Sequence, residues 1–500
     1  MQERKIGICI SYLNIIIHAI VGFIYVPILL HYIGKSEYGL YQLIGSLIAY
    51  FNVMDFGLTA AVTRFYAKYK ALQDRNGMEN ILAISIYGYI GVTLFVLAVG
   101  GICYFFLDSI FSQSMSNYEI VEAKEMFLLL LFNIAITLST MVYKAVINAH
   151  EKFLFLKGLE TVQLVMQPVL VVLLLHQYPS AFSVALVQTG INIFLIISRI
   201  YYCYGKLHVI IKYHYWSQEL FSDFKRLALS VFAVVLIDQV FWKTNQVILG
   251  IVQGTGAVAV YSIASIVYMN YMALSTAISG VYLPHITGLV AKKESANKLS
   301  DLFIQVGRWQ YYLLALVLSG FIIFGKQFID IWAGKGFEDA YWITIIIIAP
   351  FTIDLIQNIG LAILQAQNRY DFRARVYFCV GILNLILALP LGKMYGGIGC
   401  AIATGIAMFI GNGIIMNWFY ATQVHLRIKD FWKQISRLTL PIIILLVITL
   451  GIYNSVGFMG KMIFIVEIIL YVLVYCLVLY KCGMNATEKE KMISICRHIK

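Results

Sequence analysis

Apolar runs of the length needed to cross a bilayer recur along nearly the whole chain, separated by short polar segments. A hydrocarbon core about 30 Å thick takes roughly 20 helical residues. Fourteen spans are predicted, at 8–30, 39–63, 81–107, 126–148, 154–175, 181–203, 227–250, 257–282, 309–325, 341–365, 376–392, 396–420, 438–455 and 462–480. None shows the two-residue alternation of a membrane β-barrel strand. The reading is an all-α polytopic membrane protein with two parallel six-helix repeats forming two lobes around a central cavity, plus an extra C-terminal helix pair.

Composition agrees. Hydrophobic residues make up 61% of the 500 and charged residues 12%, too little polar surface for a soluble fold of this size. The apolar run after Arg4 and Lys5 passes Leu30 without a small-residue cleavage site, so the first span is expected to stay. The eight cysteines are scattered without metal or redox spacing and read as apolar fillers.

Charge tests the topology, because Lys and Arg accumulate in cytoplasmic loops. With both termini inside, 30 of the 37 basic residues fall in inner segments, six in outer segments, and Lys243 within a span. The net charge of +12 is thus dealt out loop by loop, which fits orientation and anionic headgroups better than nucleic acid. The expected localisation is the bacterial cytoplasmic (inner) membrane, multi-pass, with cytoplasmic termini.

Local patterns recur at a near-constant offset. Gly34 and Tyr41 match Gly254 and Tyr261, 220 residues on, and 145–153 matches 362–370 at an offset of 217. Two copies with an even number of spans share one orientation. The expected organisation is an N-terminal lobe at 1–205, a cytoplasmic linker at 206–225, a C-terminal lobe at 226–422, spans 13 and 14 at 423–482, and a tail at 483–500.

Polar side chains within spans cost at least about 2.5–3.5 kcal/mol each when ionisable, so those retained face protein or water. They fall in stripes. Span 1 carries Ser11, Asn14, His18 and Tyr25; span 2 carries Asn52, Asp55, Thr59 and Thr63, ending beside Arg64; span 4 carries Asn133, Thr137, Thr140 and Lys144. Span 7 carries Asp238, Gln239, Trp242, Lys243, Asn245 and Gln246, and span 10 carries Asp354, Asn358 and Gln365. Such stripes either line a hydrated interior or join helices by hydrogen bonds.

Within the first reading, Lys243, Arg64, Gln239, Asn245, Gln246, Trp242 and Asn14 are the candidate substrate-binding residues, with the Lys243 ammonium suited to a phosphate oxygen. His18, Asp238, Asp354 and Asp55 are the candidate ion-coupling residues. At the offset of 220, His18 is the counterpart of Asp238, and the two could approach across the lobe interface. Lys243 could instead snorkel to the surface, Arg64 could serve only the positive-inside bias, and Asp55 could pair with Arg64.

Two segments carry a family resemblance. One is Pro27, Gly34-Lys-Ser-Glu37-Tyr38-Gly39-Leu-Tyr41 and Asp55-Phe56-Gly57-Leu58 through Arg64; the other is Ile237-Asp238-Gln-Val-Phe241-Trp242-Lys243-Thr-Asn245-Gln246-Val-Ile-Leu-Gly250, then Ala-Val-Tyr261-Ser262-Ile-Ala264. They resemble the polysaccharide-transport branch, the Wzx-like oligosaccharide and O-antigen flippases, of the superfamily that also holds multidrug extruders and lipid II flippases. The resemblance implies a flippase, not an enzyme, moving a polyprenyl-diphosphate-linked oligosaccharide of O-antigen, capsule or exopolysaccharide from the inner to the outer leaflet by alternating access. It implies no cofactor, with H+ or Na+ as the coupling ion, and as partners the lipid-linked substrate, membrane lipids and polysaccharide polymerase or assembly proteins. His18 stands where lipid II flippases carry arginine, which argues against lipid II. The competing reading is a proton- or sodium-coupled multidrug or cation antiporter, favoured by Asp55, Asp238 and Asp354. No Walker A sequence and no domain-sized outer loop is present, which argues against ATP hydrolysis and against a polytopic polymerase or ligase.

Overall fold

A computed structural model describes residues 2–215, 218–292, 294–456, 460–486 and 488–490. The side chains of Arg4, Lys5, Cys9, Ser11, Lys225 and Arg226, together with Lys293 and the tail from 491 on, lie outside the described residues. Among those described there is no strand.

The helices are α1 (Gln2–Asn52), α2 (Leu58–Ala71), α3 (Arg75–Phe111), α4 (Asn117–Ala149), α5 (Phe153–Leu175), α6 (Ala181–Gly205), α7 (Gln218–Gln253), α8 (Thr255–Ala291), α9 (Ala296–Trp332), α10 (Asp339–Leu355), α11 (Ile359–Ala366), α12 (Tyr370–Met408), α13 (Met416–Thr422), α14 (Ile428–Val456) and α15 (Lys461–Val478). Ten helical segments among the described residues are long and apolar enough to cross a membrane, or eleven when the bent pair α10–α11 counts as one span. The chain is a multi-pass membrane protein.

The count of fourteen differs from this for a physical reason. Two of the ten segments, 20–71 and 370–422, contain 52 and 53 residues, roughly 80 Å of helix at 1.5 Å per residue. Each is long enough for two crossings and contains a glycine in the left-handed region, Gly34 at φ 74° and Gly396 at φ 58°, where a Cβ would be strained. The α7 helix is not among the ten; the side chains of 219–231, in its first half, lie outside the described residues.

The backbone reproduces the internal repeat. Gly34 and Gly254 are left-handed at φ 74° and 81°, Glu151 and Asn368 both at 55°, and His208 and His425 at 48° and 58°. The pairs lie 220, 217 and 217 positions apart, at corresponding turns of the two copies.

Residues cluster into two compact units, Met1–Ser262 and Ile263–Lys500. The repeat puts the division within 206–225, whereas α7 joins the first unit by packing against α1 and α2. Within that unit, Leu58, Val62, Phe65 and Tyr66 of α2 meet Ile81, Leu82 and Tyr89 of α3 and Val142 and Val146 of α4 in one apolar core.

At its edge, in the turn after α4, His150 accepts a hydrogen bond from Lys70 Nζ at 3.1 Å through Nδ1, and Nε2 lies 3.3 Å from the Tyr66 hydroxyl. Burial, and then Lys70 and Lys152, push this imidazole from its ordinary 6.5 down to about 4. The unfolded chain therefore takes up a proton between those values that the folded chain refuses. This stability contribution is full above pH 6.5 and is lost as pH falls toward 4. His150→Asn is expected to flatten the decline of unfolding temperature across that window, measured by thermal unfolding in detergent.

Candidate functional site

Among the described residues, three polar centres include predicted site residues, two in the first unit and one in the second.

The first is at the basic ends of α4, α5 and α6. Lys144 on α4 lies within electrostatic range of Arg199 on α6, Glu160 and Lys157 on α5, and Asp55. Lys157 pairs with Glu160 at 2.7 Å. Asp55 accepts hydrogen bonds from Tyr89 at 3.0 Å and Thr59 at 2.9 Å. Lys144 and Arg199 have no ion pair among the described residues, and Arg199 Nε is buried without a hydrogen-bond partner. Three cations against two carboxylates, both already engaged, leave a concentration of positive charge within the helices. An anion with several acceptor oxygens would satisfy it. Counting Lys144, Lys157 and Arg199 as inner-loop charges hid this centre in the sequence. The usable signal was Lys144 at the end of the Asn133–Thr137–Thr140 stripe.

The second centre is α7. Its Asn245 donates to the Tyr261 hydroxyl at 2.8 Å, and Gln246 accepts from Ser46 while donating to Ser262 at 3.0 Å. Thr244 meets Tyr50 at 2.6 Å. Asn245 and Gln246 are thus buried struts among α1, α7 and α8. Asp238, Gln239, Trp242 and Lys243 remain half-buried. Lys243 has no hydrogen-bond or ion-pair partner among the described residues, so of this group it is the cation with a free valence for a ligand or water.

The third centre belongs to the second unit. Arg373 donates to Asp354 at 3.3 Å and to Asn412, and its guanidinium stands 5.5 Å from the Tyr377 ring. Asp354 sits one residue from the end of α10, where α10 and α11 bend by 43°. Asn412 lies in the π-helical segment Phe409–Ile415 between α12 and α13. With side-chain exposures of 9% and 21%, Arg373 and Asp354 neutralise one another, so ion exchange at Asp354 requires the pair to open.

Other expectations are redirected. Asn14 is 7% exposed and ties α1 to α5, donating to the Lys157 carbonyl at 3.1 Å and accepting from Thr161 at 2.6 Å. His18, one turn further, is exposed and makes no hydrogen bond or ion pair among the described residues. The expected His18–Asp238 pair is therefore not formed, and both residues belong to the first unit. Nor does Asp55 pair with Arg64. The turn at 53–57, with Phe56 and Gly57 left-handed, lifts Asp55 off the α2 face, where it caps Thr59 and binds Tyr89, while Arg64 is exposed. The span 4 stripe joins α4 to α6, with Asn133 donating to Thr189 at 3.0 Å and Asn192 donating to Asn133 at 2.5 Å.

Comparison with known proteins places the fold. A solved structure of the lipid II flippase MurJ in an inward closed conformation matches with a TM-score of 0.74 at 20% identity, covering 94% of this chain and 98% of that one. An inward-facing multidrug resistance MATE transporter of the MOP superfamily matches at 0.63 and 13% identity, over 83% and 95%. At these identities the likeness establishes the fold. Among relatives by sequence, a putative O-antigen transporter of Shigella flexneri is 22% identical over 78% of this chain and 90% of its own length. A probable low-salt glycan biosynthesis flippase, Agl15, of Haloferax volcanii is 24% identical over 42% of this chain and 44% of its own length. These relatives are named as transporters and flippases, none as an enzyme. The family model described as polysaccharide biosynthesis protein matches residues 6–290, which take in the Gly34–Arg64 and Ile237–Gly250 segments and all of the first unit's polar centres, and the chain belongs to that family.

Proposed function

We propose that the protein flips a polyprenyl-diphosphate-linked oligosaccharide, an O-antigen, capsular or exopolysaccharide unit, from the inner to the outer leaflet of the bacterial cytoplasmic membrane. The observation that carries this reading is the cationic centre around Lys144 and Arg199, which have no ion pair among the described residues, positioned where a diphosphate entering from the cytoplasmic side would find it. Removing ionic groups from water is costly, and cations retained in a span without counter-ions are repaid by an anionic ligand. Lys243, on α7, is a second cationic contact. The names of the relatives, an O-antigen transporter and a glycan flippase, point to the same substrate class.

Transport proceeds by alternating access, with the diphosphate released as the cationic centre opens to the other side. Coupling to H+ or Na+ acts through Asp238 and Asp354, the latter by exchange of its Arg373 partner.

Depletion in the native host tests the reading. Lipid-linked oligosaccharide accumulating on the inner leaflet, with surface glycan lost and both reversed by the wild-type gene, is the expected result. Unchanged leaflet distribution together with new sensitivity to cationic drugs would move the assignment to the antiporter.

A further inference from the structure

A cavity of about 650 Å³ opens at the basic end of the second unit. Its walls are the start of α9, the first three turns of α14 with Arg427 just before it, and the segment after α15. Arg308, Arg427, Lys433 and Arg437 supply four positive charges, and Asp301, Asp430 and Glu488 three negative ones. The pairing within it is uneven. Arg308 is engaged by Glu488 at 2.7 Å, and Arg427 by Asp301 and, at 3.8 Å, by Asp430. Lys433 and Arg437 have no ion pair among the described residues, and one positive charge is left over.

Lys433 and Arg437 are one turn apart on α14 and exposed. Leu440, Ile444 and Val447 continue the same face at three- and four-residue spacing, 64%, 52% and 62% exposed. A paired cationic head over a bare apolar stripe has the shape and polarity of an amphiphile. We propose that this cavity is a binding site for the headgroup of an anionic phospholipid, with the phosphate held by Lys433 and Arg437 and the acyl chains lying along Leu440, Ile444 and Val447. The leaflet is the one on the basic side of the membrane, where surface lipids are anionic and basic pockets between transmembrane helices collect them. The phospholipid is a resident ligand, distinct from any transported substrate.

The site is tied together beyond a surface ion-pair network, since Arg308 also donates to Gln434 of α14 at 3.4 Å. Arg308 and Glu488 build its floor, with Tyr312 donating to Glu488 at 2.9 Å and the Asn485 N–H donating at 2.8 Å, so the two cations are presented on a fixed base and not on a floppy loop.

The test uses the purified full chain in nanodiscs containing phosphatidylglycerol and phosphatidylcholine, with lipids retained after delipidation read by native mass spectrometry. At about 1 kcal/mol for each of the two basic residues, the wild type is expected to prefer phosphatidylglycerol by about 30-fold. Lys433→Gln with Arg437→Gln is expected to abolish that preference, and Arg437→Lys to keep it. Equal retention of the two lipids, or an undiminished preference in the double variant of unchanged lipid-free melting temperature, overturns the proposal. Displacement of phosphatidylglycerol by millimolar inorganic phosphate also overturns it, making the cavity a free-phosphate site. None of these readouts depends on transport, so the proposed function can fail without affecting them.

Discussion

Exchanging Lys144 and Arg199 together for glutamine is expected to leave a protein that reaches the membrane at wild-type abundance and has lost at least about 100-fold of its transport. The magnitude follows from deleting charges that contact a desolvated anion, where each truncated partner typically costs about 2–5 kcal/mol, and 100-fold corresponds to about 2.7 kcal/mol. Lys144 and Arg199 come from different helices and share Glu160 as a nearby carboxylate. Removing one cation should therefore weaken transport less than removing both, and Lys144→Arg should restore most of it. The measurement is the leaflet distribution of lipid-linked oligosaccharide in a depleted strain carrying each variant, with surface glycan scored in parallel. Transport within about threefold of wild type in the double variant, less than 1 kcal/mol, would reduce the cluster to topology-setting charge. Lys243→Ala separates the second contact, because α7 does not share the carboxylates of this centre.

The second large effect is on stability. Arg308→Ala strands Glu488 in a site where both side chains are only 5% exposed, and breaking a buried pair from one side costs about 3–5 kcal/mol. Arg308 holds Glu488 through Nε and Nη2, each at 2.7 Å, and uses Nη2 also for the Tyr312 hydroxyl at 2.7 Å and the Gly483 carbonyl at 3.0 Å. Burial raises the Glu488 carboxyl, but Arg308 and the Asn485 N–H outweigh it and hold the group below the usual carboxylate range. The contribution of that pair is thus present above the ordinary carboxylate pKa and lost as pH falls through the depressed one. Thermal unfolding in detergent should show Arg308→Ala clearly destabilised at neutral pH, and Arg308→Met with Glu488→Leu close to wild type, since an apolar pair of similar volume carries no stranded charge. Equal melting temperatures for wild type and Arg308→Ala would show that Glu488 finds water or another donor.

Much of this molecule was readable before any packing was known. A helix in hydrocarbon must satisfy its own backbone hydrogen bonds, so the length and apolarity of each run, the placement of basic residues at alternate ends and the repeat offsets are local properties written along the chain. The left-handed turns at Gly34 and Gly254, and at Glu151 and Asn368, fall at the correspondences the residues suggest.

Tertiary structure alone decided which polar side chains act as struts. Spacing fixes a face on a helix, while the rotation of that helix against its neighbours determines what the face meets. Asn14 turned toward Thr161, Asn133 toward Thr189, Gln246 toward Ser46 and Ser262, and Asp354 toward Arg373, so each spent its polarity on a neighbouring helix. Lys144 and Arg199, far apart in sequence, became a centre because α4 and α6 pack together. The same interhelical geometry drew α7 into the first unit, because which helices a span packs against depends on partners that the run itself does not encode.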